Sequence, residues 1–159
     1  MNQLKILMLT FIFISLCQAD DSLHDKVIEI GISSIDANKK NIIISVYGIN
    51  TIPIAGIQLD IGDGDLFAID SIGGGRCLKN DFTMYSNEKG RILAFSMKGN
   101  MISISKNNKK DENILLNIHG KIKKQNLAPI ETINIESIIA GKKGQKLESI
   151  SLPYRWENK

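Results

Sequence analysis

From residue 27 onward the chain runs as short apolar stretches in which hydrophobic and polar positions alternate, separated by turn residues at intervals of roughly 8–14. In Val27–Ser33, Ile28, Ile30 and Ile32 alternate with Glu29 and Gly31. Ile42–Gly48 follows the polar run Asn38–Asn41, and in Ile54–Ile61 the positions Ile57, Leu59 and Ile61 alternate with Gln58 and Asp60. Side chains on a strand point to opposite faces in turn, so a period of two with one apolar set predicts strands with one covered face. The same reading predicts strands over Leu66–Ile69, Phe82–Tyr85, Arg91–Met97, Ile114–Ile122, Thr132–Ile139 and Leu147–Leu152, with a short edge strand at Ile102 and Ile104. Asn87–Gly90 reads as a hairpin loop ending in a left-handed glycine. No apolar run at helical spacing exceeds two turns after residue 20, so no helix is predicted. Nine or so strands with one apolar face each are most economically covered as two facing sheets: an all-β, antiparallel, jelly-roll-like β-sandwich.

The N-terminus follows a different pattern. Met1–Lys5 is short, polar and positively charged, Ile6–Leu16 is almost wholly apolar, and Cys17, Gln18 and Ala19 follow. This is the layout of a secretory signal peptide, and the apolar run is too short for the roughly 20 residues of a membrane helix. Cleavage after Ala19 is expected. The predicted organisation is signal peptide 1–19, flexible leader 20–25, one domain over 26–152 and a C-terminal tail 153–159. The mature chain is then secreted, periplasmic or envelope-associated, with no stable membrane span.

Composition sharpens this in two ways. Isoleucine occurs 26 times after residue 19, and β-branched side chains suit a pleated surface better than a helix. Removing the signal lowers the formal charge from +3 to +2, too little to argue for nucleic acid or an anionic surface. The lysine pairs at 39–40, 109–110, 123–124 and 142–143 fall between apolar segments and read as solvated loops. Cys77 is the one cysteine of the mature chain, so no internal disulfide is available and the core must hold the domain.

Candidate chemistry is sparse. Asp60, Asp63, Asp65 and Asp70 form an acidic cluster, but their spacing does not fit a helix-flanked calcium loop, and a strand-connecting turn accounts for them. His24 lies in the leader, and His119 is placed by its strand's phase on the face away from Ile114, Leu116 and Ile118, together with Leu115 and Asn117. No serine sits in a nucleophile elbow, and Gly73–Arg76 lacks the lysine and helix start of a phosphate loop. No catalytic residue, metal site or cofactor is therefore predicted. Among the aromatics, Phe67, Phe82 and Phe95 read as core, whereas Tyr85, Tyr154 and Trp156 are available for exposure, the last two in the tail.

The order of segments resembles a cohesin domain, of the β-sandwich superfamily shared with some carbohydrate-binding modules. Asn50–Ile61 resembles the segment in which a loop asparagine leads into a Gly-x-Gln-aromatic strand. Gly90–Ser96 followed by Ile102-Ser103, Ile114–Ile122, and Ile133–Ile139 running on to Gly144 resemble later strands and turns of the family. The departures are Leu59 in place of the aromatic and Gly62-Asp-Gly-Asp65 where the family has a Tyr-Asp-Pro turn. The resemblance implies a non-catalytic module for protein–protein assembly, with a dockerin-like or other surface protein as partner. Its alternative is a carbohydrate-binding module acting on polysaccharide. No binding residue carries over.

Overall fold

The computed structural model describes residues 27–61, 66–123 and 128–157. In chain order the elements are β1 (Ile28–Ala37), β2 (Asn41–Ile49), β3 (Gly56–Ile61), β4 (Phe67–Gly73), α1 (Gly75–Lys79), β5 (Thr83–Ser86), β6 (Arg91–Phe95), β7 (Ile114–Ile122), β8 (Ile130–Ile133), β9 (Ile135–Ala140), β10 (Lys146–Leu147), β11 (Ser149–Ser151) and β12 (Tyr154–Glu157). They build a sandwich. The first sheet has the order β11-β1-β2-β7-β4, the second β10-β9-β3-β6-β5, and β12 and β8 form a separate two-stranded ribbon. Pairing is antiparallel except between β1 and β11, which run parallel.

The alternation sets the layers. Ile28, Ile30, Ile42, Ile44 and Val46 of the first sheet and Ile57, Leu59, Ile92 and Ile139 of the second meet in one core, all within a few per cent of full burial. Each such aliphatic side chain contributes about 1.5–3 kcal/mol of apolar burial, which lets a domain without a disulfide hold together. Gly90 has φ 84°, the left-handed glycine expected at the end of the Asn87 loop.

Four features differ from the sequence reading. A helix exists: Gly74 (φ 76°) and Gly75 (φ 61°) turn the chain tightly against β7, and α1 follows. A Cβ at Gly75 would stand 2.4 Å from the Leu115 carbonyl oxygen, so glycine is required for this approach. Being only one turn long, α1 carries no helical apolar repeat to detect. Leu115, which its phase assigned outward, is fully buried: β7 pairs Leu116 with Val46 and then Ile114 with Tyr47, a register shift that skips Leu115 and lays its side chain over Gly48 beside Ile30. Second, Thr132–Ile139 is broken at Asn134, where the chain passes from the ribbon (β8) to the second sheet (β9). Third, Leu147–Leu152 changes sheets at Glu148, with β10 against β9 and β11 against β1. Fourth, the residues read as a tail contain β12, paired with β8 through Tyr154↔Ile133 and Trp156↔Glu131. Trp156 is 6% exposed and part of the core.

Candidate functional site

The second sheet turns four strands outward in register. Gln58 of β3 lies opposite Ile138 of β9 on one side and Leu93 of β6 on the other, and Leu93 lies opposite Tyr85 of β5. This row is flanked on one side by Ala140–Gly56–Phe95–Thr83 and on the other by Glu136–Asp60–Arg91. Directly opposed residues share a face, so these rows form one surface. Ile138 (49% exposed), Leu93 (40%), Tyr85 (56%) and Phe95 (37%) make it apolar. The Tyr85 and Phe95 rings stack with centroids 6.1 Å apart and planes inclined by 30°.

A polar chain borders this cluster along β3. Arg91 donates to Asp60 through Nε (2.8 Å) and Nη2 (3.2 Å), and the Gln58 amide donates to Asp60 Oδ2 at 3.2 Å. The hydrogen bonds from Arg91 hold the Asp60 carboxyl below the usual carboxylate range, so it stays ionised and serves as an acceptor, not as an acid. Fixing Gln58 and Arg91 in this way lowers the side-chain freedom that a partner would otherwise have to remove on docking.

The outward side of the first sheet contrasts with it. Its rows include Ser34–Ser45–Asn117 and Asp36–Ile43–His119–Ser71. Its one large aromatic among the described residues, Tyr47, is covered: Lys110 Nζ sits 5.0 Å from the ring centroid and the hydroxyl donates to Glu29 at 2.5 Å.

The remaining candidates are dispersed. Asp70 lies on β4 with Lys121 Nζ at 3.5 Å, on the other sheet from Asp60; His24, Asp63 and Asp65 lie outside the described residues. His119 is exposed on the outward side of β7. Among the described residues no three His, Cys, Asp or Glu side chains stand close enough to hold a metal ion. Cys77 is buried and unpaired, and burial pushes its thiol up to about 12. The hydroxyl of Ser137 bonds only to those of Ser149 and Ser151 (3.1 and 2.8 Å) among the described residues. Asn50, the loop asparagine, is 1% exposed; its amide donates to the carbonyls of Ile52 and Ser103, and it accepts from the Ser105 hydroxyl. Arg76 donates to the carbonyls of Gly48 and Ser103, pinning α1 to the same loop. These residues shape the scaffold. Two aromatic assignments reverse: Phe95, read as core, is on the surface, and Trp156, read as available, is inside. Alternation along Arg91–Met97 could not separate them, because Leu93 and Phe95 are as apolar as Ile92 and Ala94.

The architecture has clear counterparts among solved structures. A non-cellulosomal cohesin from the archaeon Archaeoglobus fulgidus superposes with a TM-score of 0.61 at 12% identity, covering 82% of this chain and 90% of that one. The fold is that of a cohesin. The sixth cohesin of Acetivibrio cellulolyticus scaffoldin B, solved with a Cel5 dockerin, matches at TM-score 0.57 and 12% identity over 82% of this chain and 97% of its own. The third ScaB cohesin of R. flavefaciens, in complex with a group 1 dockerin, matches at 0.56 and 12% over 83% and 94%. No protein-family model and no curated protein matches the sequence.

Proposed function

We propose that this domain is a non-catalytic binding module that docks a protein partner of dockerin type on the outward face of the second sheet. The observation that carries the reading is the in-register row Ile138–Gln58–Leu93–Tyr85 with Phe95 beside it, an exposed apolar strip bordered by the fixed Gln58–Asp60–Arg91 chain. A desolvated apolar centre with a polar rim is the usual build of a protein interface. Two structural neighbours were solved with dockerins, which supports a partner of that class. Export also belongs to the proposal: residues 1–19 have the layout of a signal peptide, and among the described residues no helix is long and apolar enough to cross a membrane.

The competing reading is polysaccharide binding on Tyr85 and Phe95. Titration against a panel of purified dockerin domains encoded by the same organism, beside a glycan array, separates the two. Protein binding that falls about thirty-fold or more in Leu93→Asp, as for an interface hot spot worth about 2 kcal/mol, with unchanged melting, is the expected result. Glycan binding abolished in Tyr85→Ala, with no dockerin bound, would overturn it.

A further inference from the structure

At the β11 edge of the first sheet the pairing of β1 ends in a fork. β11 runs parallel to β1 with Ile28↔Ser149, Glu29↔Ile150 and Ile30↔Ser151 in register, and the Leu152 amide donates to the Ile30 carbonyl at 2.9 Å. Continued one for one, this pairing would lay Tyr154–Glu157 along the second half of β1. It does not continue. Pro153 has no N–H to donate, β1 carries a bulge between Ile32 and Ser34, and β12 takes β8 as its partner instead. Between the diverging strands lies a cleft of about 380 Å³, lined by Ile35, Asp36, Ala37 and Tyr154–Glu157.

Both walls are strand edges. β1 is paired on its far side with β2 (Ile35↔Ile44, Asp36↔Ile43, Ala37↔Ile42), and β12 on its far side with β8. Among the described residues β1 pairs with β2 and β11, and β12 with β8, and no ladder joins Ser33–Ala37 to Tyr154–Glu157. Ile35, Ala37, Tyr154 and Trp156 pack against the one core, whereas Asp36, Arg155 and Glu157 are exposed. The cleft thus has an inward side formed by Ile35, Ala37, Tyr154 and Trp156 and an outward side carrying Asp36, Arg155 and Glu157. Unpaired N–H and C=O groups on facing edges are a template for an added strand.

We propose that this fork is a strand-acceptor site for an extended peptide segment of a protein partner, with apolar side chains turned onto Ile35 and Trp156 and basic ones turned outward. The outward lining sets the charge preference: two carboxylates, Asp36 and Glu157, against one guanidinium, Arg155. β12 can pair with at most four residues of the segment, and with fewer toward the closed end of the fork, where β1 and β12 come within 8 Å of each other, less than the roughly 9.6 Å of two strand spacings. The site uses none of the residues of the second sheet's outward face, and so stands or falls independently of the reading above.

Trp156 is the single tryptophan of the chain and forms part of the cleft wall, so its emission reports occupancy. The probes are an N-acetylated, C-amidated hexapeptide of alternating lysine and valine, its glutamate–valine counterpart, and the lysine peptide with alternate backbone amides N-methylated. Expected are a saturable shift of Trp156 emission with the lysine peptide and at least tenfold slower amide exchange in Ser33–Ala37 and Tyr154–Glu157. Binding should be lost on N-methylation, and at least tenfold weaker for the glutamate peptide or in Asp36→Lys. No saturable change at millimolar peptide, binding that survives N-methylation, equal affinity for the two charge types, or protection elsewhere in the molecule would each overturn the proposal.

Discussion

Replacing Trp156 by alanine tests whether β12 is part of the domain or an appendage to it. A tail residue beyond the last strand would be worth within about 0.5 kcal/mol, as exposed positions generally are. The structure puts Trp156 at 6% exposure within the core, on a strand paired with β8. An indole removes on the order of 200 Å² from water, and at about 25 cal/mol per Å² this corresponds to about 5 kcal/mol. β12 is paired on one edge only and can relax toward the deleted side chain, which places the expected loss at the low end of the roughly 3–5 kcal/mol range for such truncations. Urea denaturation followed by far-UV circular dichroism reads it, since the variant loses the only tryptophan; the midpoint should fall with the slope unchanged. Tyr85→Ala, exposed on the second sheet, serves as the control and should stay within about 0.5 kcal/mol of the parent. A loss below about 1 kcal/mol for Trp156→Ala would refute the packing of β12 onto the core.

Gly75→Ala should cost more than about 2 kcal/mol, because a left-handed backbone penalty of about 1–2 kcal/mol adds to a contact of 2.4 Å with the Leu115 carbonyl; Gly144→Ala, also at positive φ but in open space, should cost only the backbone part in the same denaturation series. Cys77 should resist thiol reagents at pH 8 in the native protein and react at once when unfolded. Its thiol is pushed up to about 12 by burial, above an unfolded value near 8.5, so its contribution to stability is complete below that value and is lost as pH rises through about 12. A shallower decline of stability above pH 9 in Cys77→Ala, by denaturant titration, checks the sign. The intact mass of the exported protein should correspond to a chain beginning at Asp20; a chain retaining Met1–Ala19 would replace export by anchoring.

Which positions face inward was largely written in the period-two pattern, because a strand with one covered face must alternate: Ile28, Ile30 and Ile32, and Ile57, Leu59 and Ile61, are inside as the pattern requires. The all-β sandwich and its likeness to cohesins followed from those strands and their spacing. Tertiary structure decided the rest, wherever local pattern carries two answers. Arg91–Phe95 has apolar residues on both parities, and only the packing of Ile92 and Ala94 against the first sheet leaves Leu93 and Phe95 outside. Leu147, Ile150 and Leu152 cannot show that the chain changes sheets at Glu148, since nothing local distinguishes a strand that continues from one that crosses over. Tyr154–Glu157 is a strand because β8 supplies its hydrogen-bond partner and the core receives Trp156. Both come from residues distant in sequence, so four residues near the C-terminus could not announce them.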